Sequence, residues 1–172
     1  MENGEKVRIG GIKFSEELVQ VNVACKASDD SSIYQLLHLL AEKSINVPFL
    51  CHSVVTKIPE SSFCVDRFEL GRVQQIVNFS SFENKHVSFI SSVGTLTVFP
   101  HRNSCRLLGL LMAFFARHHF PLHSLSTSIS AIALNTDYNL LEVIADKLQD
   151  VLELPLNHAP FRQGFRLTQI QP

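Results

Sequence analysis

The sequence is short of charge, and its charges show no excess of one sign. Only 18% of its 172 residues are charged, with 15 Lys and Arg against 16 Asp and Glu. A net charge of -1 gives no positive field that would attract nucleic acid or an anionic membrane surface, so neither is expected as a partner. So low a charged fraction leaves apolar surface for a second copy of the chain to cover, which favours a homodimer.

Long apolar runs and closely spaced cysteines are also absent. The longest apolar run, Leu107 to Ala116, is far below the roughly twenty residues that a membrane span needs. The N-terminal residues are polar and acidic, which is unlike a signal peptide. The four cysteines form no Cys-x-x-Cys pair and lie in or beside apolar runs, at Cys25, Cys51, Cys64 and Cys105. We therefore expect buried, reduced thiols in a cytoplasmic protein.

What the chain does have is apolar periodicity, with 45% apolar residues and thirteen Phe to form a core. Leu18 to Cys25 alternates apolar and polar residues as a strand does, and Ile33 to Leu40 has the spacing of one helix face. Continued along the chain, the pattern predicts strand 18–25, a helix from 33, strands 47–55 and 62–66, a helix through 70–77 and strand 86–90. This is the βαββαβ plan of ferredoxin-like domains.

The second half of the chain repeats the plan. Adding 75 to the residue number places Val23 on Val98 and Leu36 on Leu111, and adding 71 places Leu70 on Leu141. The four-residue difference falls in a hairpin, where length changes cost little. The predicted elements are a strand through 96–98, a helix within 105–120, strands 124–130 and 131–136, and a helix through 141–152. Serines on one face of strand 124–130 would let a second sheet or a ligand approach closely.

The sequence therefore predicts an α+β fold, with two ferredoxin-like βαββαβ units forming a side-by-side antiparallel sheet and helices on one face. We place the first unit at 15–90 and the second at 91–155. A strand in 6–14 is available to complete the second unit. A tail at 156–172 follows, in which 165–167 is a candidate final strand.

Four short motifs resemble the regulatory region of aspartokinase, which is a pair of ACT domains. Ser44-Ile45-Asn46-Val47 resembles the Gly-Ile-Asn-Val of that family, and Ser62-Phe63-Cys64-Val65 resembles its Ser-Phe-Thr-Val. Val93-Gly94 and Thr127-Ser128 resemble the Val-Gly and Thr-Ser of its second ACT domain. The resemblance covers roughly residues 11–154. It implies that ACT units align strand beside strand and that the N-terminal arm, 7–14, packs against the C-terminal unit.

The chain departs from aspartokinase where catalysis and effector choice are concerned. The Lys-Phe-Gly-Gly motif of the kinase domain is absent, so no kinase activity is expected. Ile129 stands where the family has an acidic residue, and Asp29-Asp30-Ser31 and His101-Arg102-Asn103 stand at the turns that usually carry Pro-Gly. These changes argue against the usual effectors, lysine and threonine.

The resemblance implies an amino-acid site between units, beside the first turn of a helix. A helix N-terminus offers free N–H groups to a carboxylate, and a nearby Asp can receive the ammonium. The first candidate site comprises Asp29, Asp30, Ser31, Ile45, Asn46 and Val47, and its pseudo-equivalent comprises His101, Arg102, Asn103, Ser104, Thr127 and Ser128. In the alternative interpretation, these polar residues only cap helices.

Metal and catalytic alternatives have less support. His118 and His119 are adjacent on a predicted helix and point about 100° apart, so with His123 they make a poor metal site. Cys105 and His101 lie near one helix start but have no evident third group. The sequence thus predicts a non-catalytic, cofactor-free regulatory protein that binds a small molecule of the amino-acid class and forms a homodimer. A structural dimerisation module without a ligand and an enzyme of unknown class remain as alternatives.

Overall fold

A computed structural model describes residues 6–24, 31–53, 60–79, 86–100, 104–157 and 161. The helices are α1 (Ser31–Glu42), α2 (Leu70–Phe79), α3 (Cys105–Arg117) and α4 (Leu141–Leu148). The strands are β1 (Val7–Arg8), β2 (Gly11–Phe14), β3 (Leu18–Ala24), β4 (Phe49–Ser53), β5 (Glu60–Asp66), β6 (His86–Phe99), β7 (Ser124–Thr127), β8 (Ile132–Asp137) and β9 (Leu152–Glu153).

Strand β6 is shared by both halves of the molecule. Its 14 residues form one strand, where the sequence pattern predicted two. The first part pairs with β3, from Ala24 opposite His86, and the second part pairs with β8, ending with Val98 opposite Ile132. Near Ser92, which has a φ of 56°, the pairing changes and the register shifts. The strand predicted at 86–90 is present, but it does not end at Ile90 and continues into the strand predicted through 96–98, because no proline divides the stretch.

The seven-stranded sheet has the order β4-β5-β3-β6-β8-β7, with β2 also paired to β6. Around β3 the order is β6-β3-β5-β4, and around β8 it is β2-β6-β8-β7, so each half has the antiparallel ferredoxin-like arrangement. The N-terminal arm supplies the fourth strand of the second half, with Gly11 opposite Phe99. Strand β1 pairs in parallel with β9, outside the main sheet.

The helices cover one face of each half because strand residues alternate between faces. Val19, Val21 and Val23 of β3 pack with α1 and α2 in one apolar core. Leu96 and Val98 of β6 pack with α3 and α4 in a second core, which Ile9 and Ile12 of the N-terminal arm join. The α+β class predicted from the sequence is confirmed.

The helix-free faces of the two halves pack on each other. Leu18, Phe49 and Cys64 of the first half form a small buried cluster with Ala133 of the second. Strands β4 and β7, at opposite ends of the strand order, also approach one another. The sheet is therefore folded over on itself, and its helix-free face is interior around Gln20, Cys64 and Asn135.

Several predicted boundaries and burial states differ from the structure. Strand β7 ends at Thr127 because Ser128 turns the chain, its N–H donating to the Ala131 carbonyl over 2.8 Å. Helix α4 ends at Leu148, and Leu152 reaches the same core from β9. Cys64 is buried as expected, but Cys51 and Cys105 are exposed because they lie on an edge strand and an outward helix face. Cys25 and the candidate strand 165–167 lie outside the described residues.

Candidate ligand site

The described members of the second predicted site are Ser104, Thr127 and Ser128. Ser104 caps α3, its Oγ accepting a hydrogen bond from the Leu107 N–H over 3.1 Å. In the strand register Ile132 lies opposite both Val98 and Thr127, so the end of β6, the end of β7 and the turn at Ser128 share one end of the sheet. Thr127 and Ser128 are exposed. The remaining members, His101, Arg102 and Asn103, lie outside the described residues.

The first predicted site is divided by a helix. Helix α1 begins at Ser31 and ends at Glu42, and its 12 residues span about 18 Å. Ile45, Asn46 and Val47 follow its C-terminal end, beyond Ser44 at a φ of 55°. Ile45 is buried, Asn46 is exposed and Val47 is half-buried. Within a single chain, Ile45, Asn46 and Val47 therefore do not lie beside Ser31. Asp29 and Asp30 lie outside the described residues.

A cavity that the sequence patterns did not indicate lies beside the second site. Its volume is about 520 Å³, and it lies between the N-terminal arm, the end of β6 and the segment after α4. The lining residues are Arg8, Ile9, Gly10, Pro100, Glu153, Leu154 and Pro155. Arg8 Nε donates to Glu153 Oε2 over 2.9 Å, so the lining carries one charge of each sign. The Gly10-Gly11 pair was the one local signal of close packing here.

A buried polar network, also not predicted, joins the helix-free faces. Asn135 Nδ2 donates to Ser124 Oγ over 2.8 Å and to Cys64 Sγ over 3.3 Å, and Thr95 Oγ1 donates to Asn135 Oδ1 over 2.6 Å. Ser124 Oγ in turn donates to Gln20 Oε1. Burial raises the pKa of the Cys64 thiol to about 12, so this cysteine is a neutral member of the network and not a nucleophile.

The histidines considered for metal binding have other contacts. The His118 ring packs at a tilt against Phe114, with ring centroids 4.5 Å apart, and His123 Nε2 lies 2.7 Å from Asp137 Oδ1. In the part of the chain that the structure describes, no three His, Cys, Asp or Glu side chains are grouped to hold a metal ion. Nor is any helix among the described residues long and apolar enough to span a membrane.

The sequence matches no protein-family model and no curated protein sequence. Solved structures do match. The regulatory subunit of aspartate kinase from Thermus thermophilus, ligand-free, aligns with a TM-score of 0.73 at 11% identity, covering 84% of this chain and 99% of that one. A structure of aspartokinase alpha and beta subunits aligns with a TM-score of 0.73 at 17% identity, covering 83% and 97%.

Larger enzymes match over a part of their length. Escherichia coli aspartokinase III, solved in complex with lysine and aspartate, aligns with a TM-score of 0.61 at 11% identity, covering 89% of this chain and 35% of that one. Together the topology and these alignments define an ACT-type fold built of ferredoxin-like units. More particularly, it is the fold of the regulatory subunit and regulatory domains of aspartate kinase.

Proposed function

We propose that this chain is a non-catalytic regulatory protein that binds an amino acid and communicates its presence through its assembly. The observation that carries this proposal is the alignment with nearly the whole of a separate regulatory subunit of aspartate kinase. The complex of the E. coli enzyme with lysine and aspartate supports amino acids as the ligand class. A shift in assembly on binding would make the two events thermodynamically coupled.

We propose that the amino acid binds beside the first turn of α3. The sheet register supports this position, because Ser104, Thr127 and Ser128 belong to elements that end on the same side of the molecule. Free N–H groups at a helix start favour a carboxylate there. We retain His101, Arg102 and Asn103 as further members of this proposed site.

We further propose a homodimer formed along the edge of β4. This strand pairs with β5 on one side, and residues 50–53 are exposed. They are Leu50, Cys51, His52 and Ser53, so none of the proline, lysine, arginine or acidic residues that usually protect an edge strand from pairing is present. Strand β7 comes close to only a part of β4, and the two strands do not pair among the described residues.

An antiparallel pair of β4 strands would also complete the first predicted site. Phe49 begins β4 near the C-terminal end of α1, and Ser53 ends it on the side of the sheet where α1 starts. A two-fold axis near Cys51 would therefore place Ile45, Asn46 and Val47 of one protomer beside the first turn of α1 in its partner. This would bring Asp29, Asp30 and Ser31 of the partner into the same site.

We propose the division into units at 15–90 and 91–155, with strand 6–14 completing the second and 156–172 as a tail. The boundary then lies within β6, so the units are structural repeats that share one strand. The described cysteines are free thiols, which suits a reducing compartment such as the cytoplasm.

Thermal unfolding against a panel of the common amino acids tests the function. A ligand at a hundred times its dissociation constant stabilises the folded protein by about 2.7 kcal/mol, so the melting temperature should rise by several degrees. Asn103→Ala should abolish the shift that an amino acid bound beside α3 produces, and Asn139→Ala, at an exposed position of a short 3-10 helix, should preserve it. If no amino acid raises the melting temperature, the proposal is wrong and the structural dimerisation module is the better description.

A further inference from the structure

We infer that the cavity beside β1 and β9 is a binding site for a small zwitterion with an apolar side chain, such as a branched aliphatic amino acid. This inference rests on the proposed function and adds a ligand position that the sequence motifs do not include. The cavity volume of about 520 Å³ lies within the range of about 300–1,000 Å³ typical of small-molecule sites.

Most of the cavity wall is apolar. Ile9, Pro100, Leu154 and Pro155 line it, and Ile9 also packs in the core of the second half, which fixes this part of the wall. These residues come from three segments that are distant in sequence, so the wall exists only when the N-terminal arm is docked. A small aliphatic side chain on the ligand would bury apolar surface against them. A charged side chain would lose its hydration there without gaining a partner.

The two charged lining residues suit the two charges of a zwitterion. Arg8 and Glu153 are cross-strand partners in the parallel pair of β1 and β9. Their ion pair is exposed, with side-chain exposures of 81% and 48%, so its contribution to stability is small. A ligand carboxylate can bind the Arg8 guanidinium while its ammonium binds Glu153, and the two charge-assisted contacts replace or extend the existing one at little cost.

The backbone beneath these side chains is fixed by hydrogen bonds. The Ile9 N–H donates to the Glu153 carbonyl over 3.1 Å, and the Gly10 N–H donates to the Phe99 carbonyl over 2.7 Å. A Cβ on Gly10 would lie 2.5 Å from Pro100 Cδ, so a side chain here would push the arm away from the end of β6. The cavity is therefore formed before any ligand binds.

A ligand in this cavity would join the arm to the body of the second half. It would contact β1, Pro100 and the segment after β9 together, and it would oppose separation of β1 from β9. The amide protons of Val7 and Ile9, which donate to the carbonyls of Val151 and Glu153, would then exchange more slowly with solvent. This readout reports on the cavity and not on the first turn of α3.

Isothermal titration calorimetry with L-leucine, isocaproate, isoamylamine and L-lysine tests the inference. L-Leucine should bind at least about tenfold more tightly than isocaproate or isoamylamine, each of which lacks one charge. L-Lysine should also bind more weakly, because its second ammonium would lie on the apolar wall. Hydrogen exchange at Val7 and Ile9 should slow with L-leucine.

Two variants of the lining residues test this site separately from the one proposed at α3, and a third variant is the control. Arg8→Ala and Glu153→Gln should each weaken L-leucine binding by about tenfold or more, with little change in melting temperature. Arg117→Ala, at the far end of α3, is the matched surface control and should bind normally. Equal affinity of Arg8→Ala and the unaltered protein would overturn the cavity assignment alone. If neither L-leucine nor any other amino acid binds the unaltered protein, the proposed function fails as well.

Discussion

Ser124 Oγ donates a hydrogen bond to Gln20 Oε1 over 2.8 Å, although the two residues are 104 positions apart in the chain. The contact joins an edge strand of the second half to a central strand of the first. Gln20 is only 1% exposed and Asn135, its neighbour in the network, is fully buried. Ser124 contacts Gln20, and Asn135 contacts Cys64, so this buried network joins the two halves of the molecule.

Replacing Asn135 by Ala should destabilise the protein by about 2–4 kcal/mol. The substitution leaves the Thr95 hydroxyl without its acceptor and removes the hydrogen bonds that Asn135 donates to Ser124 and Cys64, and an unsatisfied buried polar group costs about 1–3 kcal/mol. Urea unfolding measures the change. Asn139→Ala, at an exposed position of a short 3-10 helix, is the control and should change stability by less than about 0.5 kcal/mol. A similarly small effect for Asn135→Ala would show that the network contributes little.

Gly94→Ala should destabilise the fold by about 1–3 kcal/mol because the β6 backbone lies against α4. The added Cβ would lie 2.5 Å from Leu141 Cδ1 and 3.0 Å from Leu141 Cγ, and Leu141 is fully buried. Gly109→Ala is the matched control, because it meets nothing within 4 Å on the outer face of α3. It should stabilise by about 0.8–1 kcal/mol through helix propensity. Equal effects of the two substitutions, measured by thermal unfolding, would contradict this prediction.

The described cysteines should differ sharply in reactivity. Burial raises the pKa of Cys64 to about 12, so at pH 8 only about one in ten thousand of its thiols is ionised. N-ethylmaleimide should therefore label the exposed Cys105 and leave Cys64 unlabelled, as determined by mass spectrometry of tryptic peptides. Both should be labelled in urea. Labelling of native Cys64 as fast as Cys105 would show that the halves open readily.

Glu17 should make stability sensitive to acid. The pKa of Glu17 is lowered mainly by the hydrogen bond that Arg67 donates to its carboxylate. A hydrogen bond from Ser92 lowers this pKa further. Because the folded state holds this carboxylate ionised below the ordinary Glu pKa of about 4.3, the stabilisation is present above that pH. It is lost as pH falls through the lowered value.

Urea midpoints measured between pH 7 and acid conditions test this expectation. Glu17→Gln should be less stable than the unaltered protein at pH 7 and should lose less stability on acidification. Glu16→Gln, at the adjacent exposed position, is the control and should follow the unaltered protein. Parallel pH curves for all three proteins would count against a role for the contact with Arg67.

The homodimer proposed through β4 can be tested with the exposed thiol of Cys51. Antiparallel pairing centred on this residue would place the two copies of Cys51 opposite each other, within reach of a short bismaleimide. Crosslinking should give a covalent dimer, and Cys51→Ser should not. Cys105→Ser, which removes a thiol on α3, should crosslink normally. A protein that remains monomeric by light scattering at all concentrations would exclude this interface.

Local pattern was sufficient to predict most of the secondary structure. Alternation in 18–25 and helical spacing from Ile33 to Leu40 identified β3 and α1, and the same residues form the first core. These signals succeed because burial against a neighbouring helix imposes a period on the sequence. The α+β class followed from the order of such segments.

The contacts of polar residues could not be predicted in this way. Alternation in 18–25 places Gln20 and Asn22 on the face of β3 opposite the valines, but nothing in β3 itself shows that the second half covers Gln20. The serines of 124–130 continued the alternation beyond Thr127, although Ser128 uses its hydroxyl to accept from the Ala131 N–H over 3.1 Å. No sequence pattern indicates the cavity, because its walls come from three distant segments. The predicted ligand residues themselves stay a prediction.

Strand β6 makes the folding of each half depend on the other, because both halves use it as a strand of their sheet. Any cut between His86 and Phe99 would deprive one half or the other of part of its sheet, so neither can be expressed as an intact piece by dividing the chain there. Strain introduced on one side of Ser92 passes along a single hydrogen-bonded backbone to the other. A conformational change at one end of such a molecule needs no hinge or linker between the halves to reach the opposite end.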